Sequence, residues 1–159
     1  MGSRMDKVKT GIEGTQDGMD KAAEKGAEDV AETEKMREYL DAVPEGTDDD
    51  ILALKETVEQ SSVSEAVSDM ESDVYGELEA GKEIGSETQE EASELEENSN
   101  EAADAYGQVG ETKFAGEASD AQSEAEDNAQ EYGDIQEEVT DIVGEGEEEY
   151  RRNLEDIQG

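Results

Sequence analysis

No cysteine, histidine or tryptophan occurs in the 159 residues, and proline and phenylalanine occur once each, as Pro44 and Phe114. Without cysteine there is no disulfide framework, thiolate metal site or cysteine nucleophile, and the redox compartment stays unspecified. Without histidine the Glu-x-x-His pattern of carboxylate-bridged di-iron bundles fails. No apolar run approaches the roughly 18 residues of a membrane span, and Met1-Gly2-Ser3-Arg4-Met5 lacks the apolar region of a secretory signal, so a cytoplasmic location is favoured. Gly-Ser-Arg ahead of a second methionine reads as an expression scar over 1–4, leaving 5–159 as a single elongated helical domain.

Basic residues are scarce too: 12 against 49 acidic ones, for a net charge of -37. Leucine, isoleucine, valine and phenylalanine total 23, about 14% of the chain and below the roughly 20% that ordinarily separates folded from disordered compositions. Composition ignores order along the chain, so periodicity decides the class.

That order is helical. From Met5 the apolar and small residues recur in steps of three or four: Val8, Ile12, Thr15, Met19, Ala22, Gly26, Val30, Thr33, Met36, Leu40, Val43. Gly11, Gly14, Gly18 and Gly26 each cost about 1 kcal/mol against alanine, so this helix is either closely packed or frayed. Val43-Pro44-Glu45-Gly46 ends it, and Thr47 or Asp48 offers an N-cap for the next. A second seam runs through Ile51, Leu54, Val58, Ser62, Ala66, Met70, Val74 and Leu78. Gly81 to Gly85, followed by the capping-box pattern Ser86-Glu87-Thr88-Gln89, suggests a turn or kink, although Thr88, Ala92, Leu95, Ser99, Ala102, Tyr106 and Val109 keep the period. After glycines at 107, 110 and 116, steps of four and three alternate through Ala121, Ala125, Asn128, Tyr132, Ile135, Val139, Ile142 and Gly146.

The fold class expected is therefore all-α, with three or four long amphipathic helices, near 5–43, 48–80, 86–107 and 117–157, forming a slender antiparallel bundle or coiled coil. Residues 5–43 alone would span about 58 Å as one helix. The competing expectation is a set of marginal helices that order only against a partner.

Chemistry is sparse in this pattern. Glu90, Glu91, Glu94, Glu96 and Glu97 form a solvated charge run, whereas an acid–base pair must be desolvated to work at neutral pH. Asp48-Asp49-Asp50 reads as an acidic helix start, because Ile51 and Leu52 interrupt the alternating ligands of a calcium loop. Gly11, Gly14 and Gly18 have no preceding strand and no following Lys-Ser/Thr, so they are not a phosphate loop. Neither a metal nor a cofactor is expected. Tyr39, Tyr75, Tyr106, Tyr132 and Tyr150 read as packing bulk with hydrated hydroxyls, and Phe114 beside Lys113 as a possible anchor into a neighbour.

Pro44-Glu45-Gly46, at the turn of a helical hairpin, and Tyr75-Gly76-Glu77-Leu78-Glu79 faintly resemble the turn and the Tyr-x-x-x-Asp/Glu signal of small secreted WXG-type proteins. The tryptophan is absent and the chain is longer than theirs. That resemblance implies a small secreted helical effector or partner. Gly85-Ser86-Glu87-Thr88-Gln89-Glu90-Glu91-Ala92-Ser93 resembles a chemoreceptor methylation segment, without a counterpart of the receptor's signalling tip.

A seam without a catalytic constellation is a device for association, so a non-enzymatic structural or protein-interaction protein is expected. The partner, or a second copy, would meet the helical seams at Leu54, Val58 and Met70 or at Ile135, Val139 and Ile142, the largest side chains in the best-periodic stretches. Direct nucleic-acid binding and membrane insertion are not expected. The charge itself has two readings: halophilic adaptation, or mimicry of nucleic acid to capture a DNA-binding protein.

Overall fold

A computed structural model describes residues 2–44, 46, 48–109 and 115–159, the side chains of Gly2, Ser3 and Ala115 excepted. The described chain is all-α: α1 (Gly2–Asp41), α2 (Asp49–Asp69), a π-helical turn (Met70–Val74), α3 (Tyr75–Val109) and α4 (Ala115–Gln158). No helix among the described residues is long and apolar enough to cross a membrane.

The first boundary follows the sequence. α1 closes as Val43 N donates to Leu40 O at 3.2 Å ahead of Pro44, and Gly46 takes a positive φ of 81° that a side chain would disfavour. The Asp48 carboxylate then accepts from Asp50 N at 2.9 Å, capping α2, while Asp49 and Asp50 face the positive end of its dipole. Thr47, the other candidate cap, lies outside the described residues, as do Gly110, Lys113 and Phe114.

The second boundary is corrected. Residues 81–85 form no turn, because α3 is helical from Tyr75 to Val109. Its glycines admit neighbouring helices instead: Gly81 lies against Gly18 and Met19, and Gly85 against Thr15, Val139 and Val143. Close packing thus offsets the helix-propensity cost of glycine. The irregularity falls earlier, at Met70–Val74, where Tyr75 N donates to Met70 O across five residues. Ser62, Ala66, Met70, Val74 and Leu78 recur every four residues, which overshoots a 3.6-residue turn by about 40° per step. The wider π turn absorbs the excess.

The chain divides into two compact units, Met1–Thr15 with Lys82–Val143, and Gln16–Gly81 with Gly144–Gly159. In the first, Val8 is fully buried in a cluster with Ala92, Leu95 and Ile135, flanked by Ile12 and Tyr132. α1 and α3 meet in opposite chain senses, Lys7 reaching Glu91, Gly11 facing Thr88 and Gly14 facing Ile84. The buried hydroxyls of Thr15 and Thr88 donate back to Gly11 O and Ile84 O, both at 2.8 Å, so threonine fills the seam without an orphaned donor. Between α3 and α4, Gln89 Nε2 donates to Gln136 O at 3.0 Å and Thr140 Oγ1 at 2.7 Å.

In the second unit Met70, Val74 and Ile157 are fully buried, with Ala22 and Leu78 nearly so. Met19 fills the space over Gly81 and Gly146, and Gly26 makes room for buried Asn153. The rings of Tyr75 and Tyr150 lie 5.9 Å apart at 54°. Arg37 donates to Asp156 O at 3.1 Å and Ile157 O at 2.7 Å, satisfying late carbonyls of α4 with a cation where its dipole is negative.

Candidate interaction surfaces

Four of the six proposed anchors are spent on the chain's own core. Met70 is 0% exposed, Val139 1%, and Ile135 and Ile142 9% each, so these side chains hold the fold and cannot meet a partner without opening it. Leu54 is 62% exposed and Val58 half-buried. The seam expected to serve association serves folding, because few large residues are available and the helices consume them.

Two of the surfaces left outside lie one in each unit. In the second unit Ile51, Leu52 and Leu54 are all exposed over the first turns of α2. Tyr39 of α1 is 70% exposed, which revises its reading as packing bulk. A cleft of about 300 Å³ lies between α1 and α2, lined by Thr33, Met36 and Tyr39 on one side and Ser62 and Ala66 on the other.

In the first unit a groove of about 630 Å³ is lined by Leu95, Asn98, Ser99, Ala102 and Tyr106 of α3 and by Ala121, Glu124, Ala125, Asn128 and Tyr132 of α4. Arg4 and Met5 of α1 border the groove. Leu95, Ser99, Ala102 and Tyr106 belong to the α3 seam read from the sequence, but the small side chains of Ser99 and Ala102 made this stretch a poor anchor by side-chain volume. The signal for a groove was that smallness, on two helices at once.

The electrostatics around these surfaces are one-sided. Arg4 Nε lies 2.7 Å from Glu91 Oε1 and its Nη2 3.0 Å from Glu94 Oε2, while Lys7 Nζ lies 3.7 Å from Glu91 Oε2. The hydrogen bond from Arg4 holds the Glu91 carboxyl below its usual range. In the second unit burial, then Asp69, Glu32, Asp73 and Glu28, push Asp29 up to about 6. Lys25 Nζ meets Glu77 Oε1 at 3.0 Å nearby. Among the described residues no three carboxylates gather to hold a metal ion. The Asp48 carboxylate is engaged as the cap of α2.

No protein-family model, no curated protein and no solved structure matches the chain.

Proposed function

We propose that the chain is a non-enzymatic protein-interaction protein in which long helices form an antiparallel bundle within each unit and surfaces outside the buried seams recruit a partner. The observation that carries this reading is the exposed run Ile51, Leu52 and Leu54 over the first turns of α2. Contiguous apolar side chains left in water by a chain with so few of them are costly unless covered. The acidic surface keeps such a molecule soluble and rejects nucleic acid, whose phosphates it repels.

Affinity capture from lysate at low and at molar salt tests the reading, with the wild-type chain beside Leu54→Ser and Ile51→Ser. Partners held by apolar burial persist at high salt and are lost from the variants, since screening spares hydrophobic contact. A second reading, mimicry of nucleic acid, draws on residues 114–150, which contain no lysine or arginine. It requires the opposite result: basic DNA-binding proteins captured only at low salt, released by DNA and indifferent to Leu54→Ser.

A further inference from the structure

We propose that the groove between α3 and α4 in the first unit binds a basic amphipathic helix of a protein partner, seated by a stripe of small and apolar side chains and held by lysine or arginine on both flanks. This deepens the interaction reading above and rests on it.

The chain supplies its own template. The beginning of α1 already occupies the α3–α4 slot, with Val8 seated among Ala92, Leu95 and Ile135. Its flanking cations turn to the rim, Lys7 to Glu91 and Arg4 to Glu91 and Glu94. Arg4 belongs to the segment read as an expression scar. Its guanidinium nevertheless finds two carboxylates, which makes it an internal probe of what the rim does with a cation carried on a helix in this slot. Past Met5 the slot continues as the groove, from Leu95 and Tyr132 to Tyr106 and Ala121. Eleven positions of α3 separate Leu95 from Tyr106, about 17 Å or three helical turns.

Shape and charge select the occupant. Ser99, Ala102, Ala121 and Ala125 give a floor with little side-chain bulk, on which a helix backbone can lie close, and Tyr106 and Tyr132 supply aromatic surface. Residues 91–109 of α3 and 115–132 of α4 carry six carboxylates each and no lysine or arginine. One turn to either side of the groove-lining Asn98 and Asn128 stand Glu94 and Glu101, and Glu124 and Glu131. An acidic or neutral helix gains no counter-charge there, whereas a basic one repeats the Arg4 and Lys7 contacts along the rim. A second copy of this chain, at -37, is repelled.

The test uses the full chain and three labelled synthetic helices of twelve residues, followed by fluorescence anisotropy at physiological salt. One has an alanine/leucine stripe at helical spacing with lysine and arginine flanks. The second has the same composition with the stripe scrambled, and the third has the stripe with glutamate flanks. The first should bind at least tenfold tighter than either of the others. Ala102→Trp, which fills the floor, should weaken it at least tenfold with an unchanged circular-dichroism melt. Glu101→Lys with Glu124→Lys should weaken it severalfold and flatten its salt dependence. Equal binding of striped and scrambled peptides, or indifference to Ala102→Trp, would overturn the groove assignment. So would sedimentation showing a dimer of the chain that Ala102→Trp dissolves. Such failures leave the wider interaction reading to the separate Leu54→Ser capture, which does not involve the groove.

Discussion

Two side chains of the second unit carry opposite kinds of polar stress. Asp29 is held up to about 6 by burial and by the carboxylates Asp69, Glu32, Asp73 and Glu28. Its folded-state pKa exceeds the unfolded value of about 3.9, so the native state binds the proton more tightly. The stabilisation is complete below the unfolded pKa and is lost as pH climbs from about 4 to 6. Asp29→Asn should remove that dependence and raise stability at pH 7 by about 1 kcal/mol, less than the full linkage value because water reaches the carboxylate. Urea titrations of both proteins at pH 4.5 and 7 measure it. Asn153 is buried opposite Gly26, and its Nδ2 has no hydrogen-bond partner among the described residues. A polar side chain at a seam position fixes register at a cost in stability. Asn153→Leu, similar in shape and apolar, should stabilise by about 1–2 kcal/mol in the same titration. A loss of stability would show that the amide is satisfied.

At the scale of the element, the glycines separate contact from mere tolerance. A Cβ on Gly18 would lie 2.9 Å from Gly81 Cα, a backbone atom that cannot turn aside, whereas one on Gly144 would meet nothing within 4 Å. Gly18→Ala should therefore destabilise by about 1–3 kcal/mol despite alanine's better helix propensity. Gly144→Ala should stabilise by about 0.5–1 kcal/mol. Thermal melts of the pair decide whether α1 and α3 touch as closely as described. These residues also show what was legible in the sequence. Ile135, Val139 and Ile142 recur in helical steps and are buried, so α4 could be read from its pattern. Pro44 and Asp48 marked the α1–α2 boundary because proline and a capping carboxylate act locally. Gly81 and Gly85 misled, since glycine signals a turn and a close helix contact with the same letter, and only the neighbouring helix distinguishes them. The groove stayed hidden for a related reason: Ser99, Ala102 and Ala121 matter as missing volume shared between two helices, which no single helix displays.

For the molecule as a whole, the contest is between a seam of modest side chains and a charge of -37. Screening shortens the reach of like-charge repulsion to about 8 Å at physiological ionic strength and about 3 Å at 1 M, while leaving apolar burial intact. If the surface is salt-adapted, the melting temperature keeps rising above roughly 1 M potassium chloride, where ordinary screening is exhausted. A plateau below that concentration assigns the effect to screening alone. If the helical seams are satisfied within the chain itself, recognition falls to the surfaces outside them. Far-ultraviolet circular dichroism of the isolated chain, melted in dilute buffer and again in molar potassium chloride, tests that premise most directly. The expected result is a helical spectrum with a cooperative transition in high salt, and helicity that grows with salt. A random-coil spectrum under both conditions would contradict it, making the seams a partner's to complete.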